Sequence, residues 1–266
     1  MCAVVPQPEG SPLPDVPPIP TAPDAEGGTL LAFAVHPDDV ATVCAAPIRA
    51  AVRDGGRAVV CCLTCLDAEG LRRGIESRSE LLDAAHALGL PESDIMFLGY
   101  PEGQIAPMWA EPKWDFGRPP YNGCLAGELT RNAENFTLIL SDLLDGLAPN
   151  RILLPHPEDD HGDHKAAYWA ILTAIRRTAL LARTPHLFTY LVSLGDWPPA
   201  GKRFASPPSE RDWVEHEVLL DDDQIETKTY AIAAHTNFPD RKVHNRFDPR
   251  HFLRENELYW LLPATG

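Results

Sequence analysis

The sequence predicts an α/β fold: a Rossmann-like, mostly parallel sheet with helices on both faces, in a single domain. Three observations predict it. Short apolar runs such as Thr29–Val35 and Arg57–Leu63 stop at turn residues, as strands buried on both faces do. Between these runs lie stretches of roughly 14–20 residues with apolar side chains at helical spacing. The two kinds alternate along the chain, which is the pattern of βαβ units. A length of 266 residues is enough to bury one core of this kind.

The elements follow in order. Thr29–Val35 is the first strand. Asp39–Arg53 repeats apolar residues at Val40, Val43, Ala46 and Ala50 and ends at Gly55-Gly56, so it predicts one helix. Arg57–Leu63 is the second strand, Leu71–Leu88 a helix closed by Gly89 and Pro91, and Ile95–Leu98 the third strand. Ala133–Leu147 is helical and Arg151–Leu154 is a fourth strand. A helix over Asp163–Leu181 precedes a fifth strand over His186–Leu194. Val214–Leu220 predicts a further strand. A helix that starts at Asp222 or Asp223 runs to about His235, and an apolar C-terminal piece holds Phe252 and Leu258–Leu262. Residues 99–131, rich in Pro, Gly and Trp, are long for a loop and are expected to overhang a site; 195–212 is a Pro-rich connection.

Residues 1–28 form a separate segment, with eight prolines between positions 5 and 24 and no periodicity, and read as an extended linker before a domain over 29–266. The 38 acidic residues outweigh 23 basic ones for a net charge of −15, a field that disfavours nucleic acid and anionic membranes as partners. No apolar run approaches a membrane span. The six cysteines are too few for a disulfide scaffold in a chain this long, so a reducing, cytoplasmic location is the expectation; export or lipid anchoring at Cys2 is the alternative.

Ligands of open α/β sheets bind beyond the carboxyl ends of the strands. Two unusual clusters stand there: His36-Pro37-Asp38-Asp39 after the first strand and His156-Pro157-Glu158-Asp159-Asp160-His161-Gly162-Asp163-His164 after the fourth. Imidazoles and carboxylates so placed can form a three-ligand zinc site with an open position. His161 and His164, three apart at a helix start, can point the same way. The neighbouring acids can supply a base or outer support, Asp163 among them. Taken singly, each has a bland explanation: a core histidine, a helix N-cap at Asp38, a solvated acidic loop over 158–163.

With these residues the sequence resembles the PIG-L/LmbE-like family of metal-dependent N-acetylglucosaminyl deacetylases over about residues 29–260. The resemblance rests on His36-Pro37-Asp38-Asp39 and His161-Gly162-Asp163-His164. Further matches are Arg78-Ser79-Glu80 before Leu88-Gly89, Leu98-Gly99-Tyr100-Pro101-Glu102-Gly103, and Lys228 with Ala231 and His235. It implies metal ligation by His36, Asp39 and His164, with Zn2+ or another divalent ion such as Fe2+. It implies Asp38 as general base and His161 as oxyanion stabiliser or acid toward the leaving amine. Asp67, Arg78, Glu102 and His235 are implied substrate contacts, and the substrate is a small or oligomeric N-acetyl amino sugar. The chain departs from the family at Val40, where Glu is common, and at Asp159, where some members carry an aromatic residue.

The competing readings are an amidase or esterase on the same centre and a sugar-binding protein without turnover. Cys62-Thr-Leu-Cys65 reads as a buried strand end rather than a redox or metal pair. Trp109, Trp114, Phe116 and Tyr121 read either as a sugar-stacking wall or as aromatics that pack their own loop down. The oligomeric state is not legible.

Overall fold

A computed structural model describes residues 28–111, 113–127, 129–180, 185–207, 214–236 and 248–262. The expected linker over 1–28 lies outside them except for Gly28. Among the described residues seven strands form one sheet: β1 (Thr29–Ala34), β2 (Arg57–Thr64), β3 (Ile95–Tyr100), β4 (Arg151–Pro155), β5 (His186–Tyr190), β6 (Val214–Leu219) and β7 (Asn256–Leu261). Their order is β3-β2-β1-β4-β5-β7-β6. The first five are parallel, and β7 and β6 add on antiparallel at one edge. The fold is therefore the expected α/β sheet.

Among the described residues seven α-helices cover it: α1 (Asp39–Thr42), α2 (Ala45–Arg53), α3 (Leu71–Ala87), α4 (Ile105–Ala110), α5 (Ala133–Leu147), α6 (Gly162–Arg177) and α7 (Asp222–Thr236). Side chains alternate across a strand, and β1 feeds two cores accordingly. Leu30, Ala32 and Ala34 pack with α1, α2, α3 and α7, whereas Leu31, Phe33 and Val35 pack with α5 and α6.

The structure departs from expectation at several points. The helix expected over Asp39–Arg53 is two helices that break at Val43–Cys44. The fifth strand stops at Tyr190 rather than Leu194, and the helix before it ends at Arg177 rather than Leu181. The long loop contains α4, and the C-terminal piece is a strand, β7, inserted between β5 and β6. That insertion is decided by pairing with strands far along the chain, to which local pattern is blind.

Candidate active site

Strands β1 and β4 are neighbours at the centre of the sheet, where the winding order reverses. Chains leaving their carboxyl ends diverge and open a crevice there. His36 and Asp38 lie on the turn after β1, and Asp39 is the first residue of α1. His161 caps α6 and His164 lies in its first turn.

The side chains converge. His164 Nε2 is 3.3 Å from His36 Nδ1 and 3.6 Å from Asp39 Oδ2. Asp39 Oδ2 is aimed by the backbone, accepting from the N–H groups of Val35 (2.8 Å) and His36 (3.0 Å), and the Tyr190 hydroxyl lies 3.3 Å away. The atoms of His36, His161 and His164 that could bind a metal lie within 4.8 Å of one another, and so do those of His36, Asp38 and Asp39. A tetrahedral zinc with donors about 2.0–2.2 Å away spaces them roughly 3.3–3.6 Å apart. The donor set therefore fits such an ion.

His164 and His36 each face a carboxylate, Asp159 closely and Asp163 from farther off. Asp159 Oδ2 lies 3.3 Å from His164 Nδ1 and accepts from the backbone N–H groups of Val192 (2.8 Å) and Ser193 (3.3 Å); its Oδ1 accepts from His161 N–H (2.8 Å). Asp163 Oδ2 lies 3.9 Å from His36 Nε2 and accepts from Gly103 N–H, while Oδ1 accepts from Ala106 N–H. The acidic 158–163 stretch is thus more than a solvated loop: Asp159 and Asp163 are buried, whereas Asp160, His161 and Gly162 are exposed. His161 Nδ1 accepts from Asp163 N–H (3.2 Å), so in the neutral ring the proton sits on Nε2 as a donor.

The electrostatics are those of a cation site. Burial pushes His36 well below the ordinary histidine value, with His164 and His161 adding to the effect, so it is neutral and has a lone pair to give. Burial also acts on His164, but Asp159, Asp39 and Asp163 overcome it and push the ring up to about 9. A field that holds a proton there also favours a divalent cation. Burial raises Asp39 to about 6 against the opposing pull of His164. His161 is lowered, first by burial and then by His164.

Asp38 is the N-cap residue of α1, yet its carboxylate makes no capping bond, and no described residue donates to it. A capping role does not explain it. Arg73, held by Glu80 through bonds of 2.7 and 2.8 Å, feels its charge.

Of the other implied contacts, Glu102 feels the charges of the cluster: burial raises its carboxyl, and Asp38, Asp67 and Asp163 act in the same direction. Asp67 accepts from Glu102 N–H (3.0 Å) and from the Tyr121 hydroxyl (2.8 Å), fastening the long loop to the turn after β2. Arg78 stacks over Phe97 with its guanidinium carbon 4.4 Å from the ring centre and donates to Asn122 C=O. His235 is fully buried, with Nδ1 3.3 Å from Glu80 Oε2. The structure therefore uses Arg78 and His235 within the fold. The loop aromatics divide: Trp109 and Phe116 pack against the core and Tyr121 is buried, whereas Trp114 is 39% exposed. Cys62 and Cys65 are free, buried thiols. Sequence marks Asp159 as one acid of the cluster and as a departure from the family, without a role in the site, and does not mark Tyr190 or Arg73. Asp159 and Arg73 sat beside recognised motifs, but nothing near Tyr190 marks it.

The comparisons speak to the family and the fold. Residues 31–175 match the PIG-L family, described as GlcNAc-PI de-N-acetylase, across more than half of the chain. The chain belongs to the PIG-L family. No curated protein matches it significantly. Among solved structures it is similar to the N,N'-diacetylchitobiose deacetylase of Pyrococcus horikoshii (18% identity, 90% of this chain and 85% of that one, TM-score 0.58). It is also similar to the zinc-inhibited form of the teicoplanin deacetylase Orf2 (14%, 88% and 97%, 0.54). A third is GalB, the 4-carboxy-2-hydroxymuconate hydratase of Pseudomonas putida KT2440 (12%, 90% and 97%, 0.53). At these identities the likeness is one of fold, and the hydratase shows that this fold serves more than one reaction.

Proposed function

We propose that this PIG-L family chain is a metal-dependent de-N-acetylase that hydrolyses the acetamide of a GlcNAc-type amino sugar, free or conjugated, to acetate and a free amine. The observation that carries the proposal is the convergence of His36 Nδ1, Asp39 Oδ2 and His164 Nε2 beside the uncommitted carboxylate of Asp38. These three groups would hold the metal, Zn2+ by donor type, although Fe2+ also suits such a set. A bound ion supplies Lewis-acid chemistry, acidifying a water and polarising the acetyl carbonyl.

The chain's own residues do the rest. Asp38, which spends no lone pair on the helix, takes the proton of the attacking water. His161 presents Nε2–H to the oxygen that gains charge as the carbonyl is attacked, and the proton that Asp38 took from the water passes to the departing nitrogen as the C–N bond breaks. Asp159 and Asp163 keep the two metal-facing imidazoles in one orientation. Glu102 and Asp67, at the mouth, are assigned to sugar hydroxyls, and Arg78 and His235 to holding the walls.

Free-amine and acetate release should be measured across N-acetylglucosamine, chitooligosaccharides, inositol-linked and glycopeptide substrates, with and without added Zn2+. Equimolar acetate and amine from at least one of them is the expected result. Ester or non-sugar amide cleavage alone would refute the sugar assignment.

A further inference from the structure

Lys228 on α7 is fully buried, which lysine tolerates only with partners. Its Nζ is 2.5 Å from Glu257 Oε1 on β7 and donates to the carbonyl of Thr42 at 2.8 Å. Glu257, itself buried, accepts from Ala46 N–H at 3.2 Å. The Tyr259 hydroxyl lies against Glu257 and 2.9 Å from the carbonyl of Val43. Every one of these groups grips the same place, the junction at which α1 ends and α2 begins.

That junction is wired to the site. Thr42 N–H bonds the carbonyl of Asp38 (3.0 Å) and Val43 N–H the carbonyl of Asp39 (3.0 Å). Thr42 and Val43 are thus held on their carbonyl side by Lys228 and Tyr259, and hold Asp38 and Asp39 on their amide side. A four-residue helix has no stability of its own to keep such a register. A buried ion pair is also a poor stabiliser beside an apolar substitute, so stability alone does not account for it. What the pair supplies is direction, a fixed donor for one carbonyl. From this we infer that Lys228, with Glu257 and Tyr259, is a positioning residue that sets where Asp38 and Asp39 face. The inference rests on the roles proposed above for those two aspartates.

The test uses the full chain and three changes. Lys228→Met with Glu257→Gln removes the pair while keeping charge balance. Tyr259→Phe removes one hydroxyl only. Arg49→Met is the control, breaking the Arg49–Asp223 pair between α2 and α7 (2.7 Å) without touching α1. Zn2+ affinity is read by chelator competition, with Tm, kcat and KM alongside. The double variant should keep a cooperative transition, bind Zn2+ about 10–100-fold more weakly, as loss of outer support does, and lose kcat with KM within twofold. Tyr259→Phe should weaken Zn2+ binding severalfold, and it decides the question if the double variant does not fold. Arg49→Met should lower Tm and leave Zn2+ affinity unchanged. Wild-type Zn2+ affinity and kcat in the folded double variant, or in Tyr259→Phe if the double does not fold, overturn the inference, as does an equal loss in Arg49→Met. A wild-type chain that binds no Zn2+ overturns the metal reading itself, and this inference with it.

Discussion

Replacing Asp159 separates support of the site from support of the fold. Its carboxylate has no solvent exposure, takes three backbone N–H bonds and faces His164 Nδ1. Asp159→Ala strands those donors, each worth about 1–3 kcal/mol when buried and unmet. With the Ser193 bond long at 3.3 Å, the loss is about 3–5 kcal/mol, a large share of the roughly 5–15 kcal/mol that holds a domain together. Asp159→Asn is gentler. One amide oxygen still serves one side, but its NH2 must then face N–H groups on the other, and the cost is about 1–3 kcal/mol. At about 2–4 °C per kcal/mol for a chain of this size, Tm should fall by roughly 2–12 °C. The anion that does most to raise His164 is lost as well, and the ring is no longer fixed, so Zn2+ affinity should drop about 10–100-fold. Excess Zn2+ should then recover much of the activity. Scanning calorimetry, chelator competition and a Zn2+ titration of turnover measure the three effects. A lower Tm with unchanged Zn2+ affinity would refute the argument, since Asp159 would then serve only the loop.

Asp38→Asn should retain the metal and the fold but lower kcat by about 10²–10⁴, whereas Asp39→Asn should weaken metal binding and be partly rescued by excess Zn2+; metal content and kcat for both decide it. Glu80 is held below the ordinary glutamate value of 4.5, because the bonds from His235 and Arg73 outweigh its burial. Its contribution to stability is therefore full above that value and lost as pH falls through the lower one, so unfolding free energy should decline below about pH 4.5; denaturant titrations should find a shallower decline in Glu80→Gln. Trp114→Ala should alter KM or substrate ranking at constant metal content; no change in either for any accepted substrate would make the loop purely structural.

What sequence revealed and what it concealed divide along one line. His36, Asp38 and Asp39 are consecutive or nearly so, and a strand followed by a turn and acids is visible in a window of ten residues. The parallel strands announce themselves in the same way, as apolar runs. Asp159 is legible as an acid of the cluster and a departure from the family, but its role is not, because the groups that it binds, Val192 and Ser193, lie more than thirty residues away on the chain leaving β5. The break between α1 and α2 has the same cause. Apolar spacing continues smoothly from Val40 to Ala50, but Lys228, Tyr259 and Glu257 take the carbonyls and amide at the junction. Periodicity reports which face is buried; it is silent on which backbone groups a distant side chain will claim.

The position of the site follows from the same division. A turn bearing His36, Asp38 and Asp39 becomes a site only where a second turn bearing His161 and His164 faces it, and sheet order decides that. Because β1 and β4 are adjacent although more than a hundred residues apart, the two turns meet across about one strand spacing, roughly 4.8 Å. That is close enough for one imidazole from each to reach a common ion. Had β4 been placed beyond β2, the same motifs would have stood two strands apart, near 10 Å, and the side chains of the two turns would not converge as they do here. The chemistry-bearing residues are local facts of the chain, and their meeting is a fact of topology.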